Sequence, residues 1–135
     1  MSNLYKMYET DEKYEKEGID LEITEGVRFR IARSGGQNKR YQQILAKLMK
    51  PYQRAYEQGT LDNDKAGDIM QLAFIKGCLI GWQGVTGRDG VEMEFSEGNA
   101  LKLFGDLPDL FAQLQEQASK VSNYRIEDVE EAAGN

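Results

Sequence analysis

Two stretches near the N-terminus alternate with a period of two. In "IDLEI", Ile19, Leu21 and Ile23 alternate with Asp20 and Glu22; in "VRFRI", Val27, Phe29 and Ile31 alternate with Arg28 and Arg30. A single apolar face per run predicts half-buried strands. The intervening "TEG" suits a tight hairpin turn. The outer faces carry opposite charge, so cross-strand ion pairing is expected. A third alternation, "VEMEF" (Val91, Met93, Phe95), predicts a strand paired across "TGRDG" with a short strand near 82–85. Residues 4–8, "LYKMY", read as a short strand, and the charge run at about 9–18 reads as a solvated loop.

The period then changes. After "SGG", Tyr41, Ile44, Leu45, Leu48, Met49, Tyr52, Ala55 and Tyr56 recur at spacings of three and four. That stripe predicts a long helix over about 38–58, capped by Asn38 or Ser34, kinked at Pro51 and closed by Gly59. A second helix over roughly 64–80 starts behind Asp62 or Asn63 and is apolar most of the way round, as suits a central helix. Ser96 is a good N-cap for a short helix closed by Gly105. Asp106 and Pro108 mark the start of a last helix whose stripe is Leu107, Leu110, Phe111, Leu114, Ala118 and Val121. No internal repeat and no second domain is visible. The expectation is a single α+β domain spanning 1–135: a small antiparallel β-meander or hairpin packed with four to five helices, ending in an acidic tail from about 125.

Composition narrows the chemistry. The 135-residue chain carries a net charge of −6, which disfavours a general nucleic-acid binder. It has no histidine, which excludes Ser-His-Asp chemistry and histidine zinc sites. Its one cysteine, Cys78, sits in "AFIKGCLIGW" and reads as a buried small hydrophobe. No signal-peptide pattern opens the sequence and no window is long and apolar enough to span a bilayer, so a cytoplasmic protein is expected.

Three local patterns invite a functional reading. "ARSGGQNKR" follows a strand and precedes a helix but lacks both common phosphate-loop spacings. Lys39 and Arg40 in a first helical turn oppose the helix dipole, which suits a partner's acidic surface. "DNDKAGD" echoes the start of an EF-hand loop, yet Ala66 and Ala73 stand where two oxygen ligands are needed, so a helix cap is the better reading. Scattered carboxylates around "EMEF" and "SEG" have no catalytic spacing. No cofactor, metal site or catalytic residue is expected.

The order of segments nevertheless has a likeness. "ARSGGQNKRY" with the helix through "MKPY", then "LIGWQGVTGRDG", then "NALKLFGDLPDLF" resemble the tail assembly chaperones of long-tailed bacteriophages, over about residues 27–127. The resemblance implies a non-enzymatic protein of the host bacterial cytoplasm, absent from the mature virion. It would bind the tape measure protein, keep it soluble during tail tube polymerisation, and act as a spiral or ring-like homo-oligomer. Members are often made in a short and a frameshifted long form whose extension recruits the tail tube protein. On this reading Arg33, Lys39, Arg40, Tyr52, Tyr56, Leu110, Phe111 and Leu114 form oligomer and client surfaces, with the basic group meeting a neighbour's Glu127 to Glu131. Two other classes stay open: a structural tail-completion or connector protein, and a small nucleic-acid-binding regulator using the basic residues between Arg28 and Arg40.

Overall fold

A computed structural model describes residues 3–126. The fold is α+β, with a three-stranded antiparallel sheet in the order β1-β2-β3. The hairpin forms as its alternation demands. Strand β1 (Ile19–Thr24) pairs with β2 (Val27–Ile31), setting Leu21 opposite Phe29, Asp20 opposite Arg30 and Glu22 opposite Arg28. Only one of the two expected charge pairs closes. Arg30 reaches Asp20 at 3.3 Å, while Glu22 instead accepts from the Gly26 N–H at the turn. The third strand, β3 (Leu79–Gln83), lies on the other side of β2 and is reached only after the long helical segment. The strands thus follow chain order, as in a small antiparallel meander, with a helical excursion between β2 and β3.

The N-terminal segment departs from expectation. Residues 4–8 are a helix, α1 (Leu4–Tyr8), because the Asn3 side chain caps it by accepting from the Tyr5 N–H. The charged run is a helix too, α2 (Glu12–Glu17), not a loop. Asp11 caps it, Glu12 pairs with Lys16 and Lys13 with Glu17 at i,i+4, and Gly18 at φ +90° ends it.

Helix α3 (Lys39–Met49) runs until Pro51, where one turn of 3-10 helix (Lys50–Tyr52) leads into the short α4 (Gln53–Glu57). Gly59, at φ +71°, closes this limb as expected. Helix α5 (Asn63–Gly77) is capped by Asp62 and stops earlier than its apolar run suggested. Cys78 is the turn into β3, which starts at Leu79, because the open edge of β2 recruits "LIGWQ" into the ladder. Helix α5 packs against α3 so closely that a Cβ on Gly77 would stand 2.8 Å from the Tyr41 Cα.

"VEMEF" does not form a strand. It runs extended beside Val85, with the Met93 N–H donating to Val85 O (2.8 Å) and one bridge between Thr86 and Glu92. These contacts fall at Val85 and Thr86, past the end of β3 at Gln83, so the segment adds no strand to the sheet. Ser96 caps α6 (Glu97–Asp106) by accepting from the Asn99 N–H. That helix continues through Gly105, and Leu107 terminates it. Pro108 then opens α7 (Pro108–Ser119), which leads to a 3-10 turn (Val121–Tyr124).

The core lies between the inner face of the sheet (Phe29, Ile31, Leu79) and helices α5, α6 and α7. Phe74, Phe104 and Phe111 meet there, with ring centroids 5.3 to 6.3 Å apart. At the sheet's end Trp82 stands edge-on to Phe29 and Phe95, and its indole N–H donates to Met93 O (2.8 Å), as befits a core anchor.

Candidate interaction surfaces

The expected basic group separates into two parts. Arg33 turns inward: its guanidinium, itself partly exposed, pairs with the Glu15 carboxylate, which is 1 % exposed. That carboxylate also accepts from the Thr10 hydroxyl (2.8 Å) and the Gln37 N–H (2.9 Å). Burial alone pushes the Glu15 carboxyl up. The hydroxyl, the guanidinium and the backbone N–H outweigh it and hold the group below the usual carboxylate range. Arg33 is thus corrected from a partner contact to half of a clasp that ties α2 to the loop before α3. The surrounding loop is anchored as well. Asn38 stands at the N-cap position but does not cap; buried, it donates to the carbonyls of Arg33 and Gly77. Lys39 and Arg40 are exposed at the start of α3, and neither pairs with a carboxylate among the described residues. Glu127 to Glu131 lie outside the described residues.

The apolar candidates divide in the same way. Phe111 and Leu114 are core residues and Leu110 packs half-buried against them, so the last helix spends its stripe inside the fold. Phe111 and Leu114 therefore face the core rather than an outer surface, while Leu110 keeps part of its side chain exposed. On the other limb, Ile44, Leu45 and Leu48 cover the core. Tyr52 is half-buried with the Lys65 ammonium 4.9 Å from its ring centre, and Tyr56 is 66 % exposed. Cys78 is fully buried, its thiol raised to about 12 by desolvation.

Two features outside the expected contact surface carry much of the exposed apolar surface. The first is α1, which has no buried residue; Leu4, Tyr5, Met7 and Tyr8 all face solvent. Its attachments are polar: Arg125 donates to Met7 O (3.1 Å) and the Asp11 N–H to Tyr124 O (3.2 Å). The second is a cleft of about 630 Å³ between the 86–94 segment and α6. Val91, Met93, Leu103 and Leu107 give it an apolar floor. Four carboxylates, of Asp89, Glu92, Glu94 and Asp106, line it against the two basic groups of Arg88 and Lys102. Arg88 faces Asp106 at 3.8 Å, which leaves an acidic excess on the remaining rim. The local signal for α1 was Asn3, a capping residue directly before "LYKMY"; the cleft has no signature in linear order.

The profile of the YdaY prophage protein family matches residues 36–135. The chain belongs to the YdaY prophage protein family. The matched region begins in the glycine loop beside the clasp and includes α3 through α7 together with β3 and the cleft. No curated protein and no solved structure matches the chain. Among the described residues no helix is long and apolar enough to cross a membrane.

Proposed function

We propose that this prophage protein is a non-enzymatic tail assembly chaperone. It binds the tape measure protein, keeps it soluble while the tail tube polymerises, and works as a homo-oligomer in the host cytoplasm. The observation that carries this reading is the prophage family match over residues 36–135, which overlaps most of the stretch resembling tail assembly chaperones. Exposed apolar side chains on α1, at Tyr56 and around the cleft supply the surface a client-binding protein requires. The candidate contact surface is accordingly redrawn. Lys39, Arg40, Tyr52, Tyr56 and the half-buried Leu110 stay in it, while Arg33, Phe111 and Leu114 leave it for the clasp and the core. The nucleic-acid reading loses support, because Arg30 and Arg33 are each held by one of the protein's own carboxylates.

Deletion of the gene from an inducible prophage tests the proposal. Induced lysates should contain filled heads without tails, complementation should restore tails, and purified particles should lack the protein. Normal tails from the deletion strain, or the protein as a stoichiometric particle component, would reject the chaperone role.

A further inference from the structure

We propose that the outer face of the limb from α3 to α4 docks on the phosphate backbone of duplex nucleic acid, without reading its sequence. No acidic residue stands between Glu25 and Glu57. Of the chain's 17 basic and 23 acidic residues, five and one fall within 39–57, so this stretch carries +4 and the remainder −10. Four of the five cations lie along one stripe. Arg40, Gln43, Lys47, Lys50 and Arg54 follow one another at spacings of three and four, and all five are exposed. Tyr41, Ile44, Leu45 and Leu48 occupy the opposite side and pack on the core, which fixes the stripe outward. None of Arg40, Lys47, Lys50 and Arg54 pairs with a carboxylate among the described residues. Lys47 and Lys50 are one turn apart, as are Lys50 and Arg54, and like charges at those spacings weaken a helix. The fold gains nothing from these four charges, and an external polyanion would relieve their repulsion.

The chemistry of the face selects the occupant. Between the cations stand Gln42, Gln43, Ala46 and Gln53, and no large apolar side chain is exposed from Lys39 to Arg54. A protein partner would need an apolar centre to the contact, and a bilayer would need an apolar helix face to bury. A single strand would need an aromatic platform. Tyr56, the exposed aromatic of this limb, follows Arg54 by two residues and so points away from the stripe. What the face offers is charge and hydrogen bonds, which is what a phosphate backbone takes. The stripe runs about 21 Å at the rise of a helix. About six phosphates of one strand pass within that length. The acidic remainder of the chain repels the same backbone, so only this limb can approach it. The stripe shares Arg40 alone with the Arg28 to Arg40 group, and the carboxylates that hold Arg30 and Arg33 do not reach it.

This contact stands apart from the chaperone role, and titration of the full chain against a short, labelled, mixed-sequence duplex judges it alone. Fluorescence anisotropy should show binding at low salt that weakens roughly 100-fold between about 50 mM and 200 mM salt, a log–log slope of about −3.6 for four phosphate contacts. Lys47→Gln with Lys50→Gln should cut the steepness of that slope by about two and weaken binding to every duplex sequence alike. Lys13→Gln with Lys120→Gln removes the same charge from exposed sites elsewhere and should leave the slope unchanged. Lys50→Gln alone, with a slope shallower by about one, replaces the first variant if its melting curve shows that the double change does not fold. No binding at about 50 mM salt, or equal weakening by both double variants, overturns the contact. Preference for an acidic peptide, for phosphatidylglycerol vesicles or for a single strand of the same length overturns the duplex as its occupant.

Discussion

Replacing Arg33 by alanine strips the buried Glu15 carboxylate of the guanidinium it pairs with. The carboxylate would keep the Thr10 hydroxyl and the Gln37 N–H, two of its three donors, while remaining out of water. Removing one partner of a buried pair typically costs about 3–5 kcal/mol. Arg33 is itself partly solvated, at 23 % exposure, and water can enter the space it leaves. The lower end, about 3 kcal/mol, is therefore expected. For a domain of this size that is about 10 °C in melting temperature. Glu15→Gln should be milder, about 1–2 kcal/mol, because the amide keeps the shape and the arginine can turn to solvent. The pH dependence gives the sharper reading. The folded Glu15 pKa lies below its ordinary value of 4.5, so its contribution is complete above that value. The contribution is lost as pH falls through the lower folded value. Urea titrations of wild type and Glu15→Gln from pH 7 to pH 2 should show a stability gap that is widest at neutral pH and closes in acid. A gap that stays constant across that range would refute the charged clasp and leave only a packing effect.

Three further outcomes test the packing. Gly84→Ala should destabilise the hairpin end by more than 2 kcal/mol or so, since a Cβ there would lie 1.9 Å from Gly26 O on a backbone at φ +76°; a calorimetric melt reads this directly. Phe111→Ala should cost about 3–5 kcal/mol, as for a buried aromatic, and a loss under 1 kcal/mol in denaturant titration would mean that α7 does not pack as described. Cys78 should resist thiol reagents at neutral pH until the chain is unfolded, because burial raises its thiol to about 12; labelling of native protein at the unfolded rate would contradict its place in the core.

The elements that could be read in linear order are those with a local cause. The hairpin follows from strict alternation between Ile19 and Ile31, and the caps at Asp62 and Ser96 from side chains that bond N–H groups two and three residues on. β3 was hidden because "CLIGW" continues the apolar run of α5. A short apolar run does not distinguish helix from strand until a partner edge exists, and β2 provides that edge. The charge run at 12–17 held an i,i+4 pattern of Glu and Lys that marks a helix, yet nothing in it singles out Glu15 as the buried one. That depends on Arg33 and Gln37, far along the chain. A stripe such as Leu110, Phe111 and Leu114 likewise declares an apolar face without declaring what covers it. The cleft joins an extended segment to a later helix, and only the fold brings them together.

The most direct test of the chaperone account is co-expression of this chain with the tape measure protein of its own prophage, followed by purification and light scattering. The account predicts that the tape measure protein is insoluble alone and soluble in a complex holding several copies of this chain per client. A tape measure protein that stays insoluble beside abundant, folded, unassociated copies of this chain would contradict it.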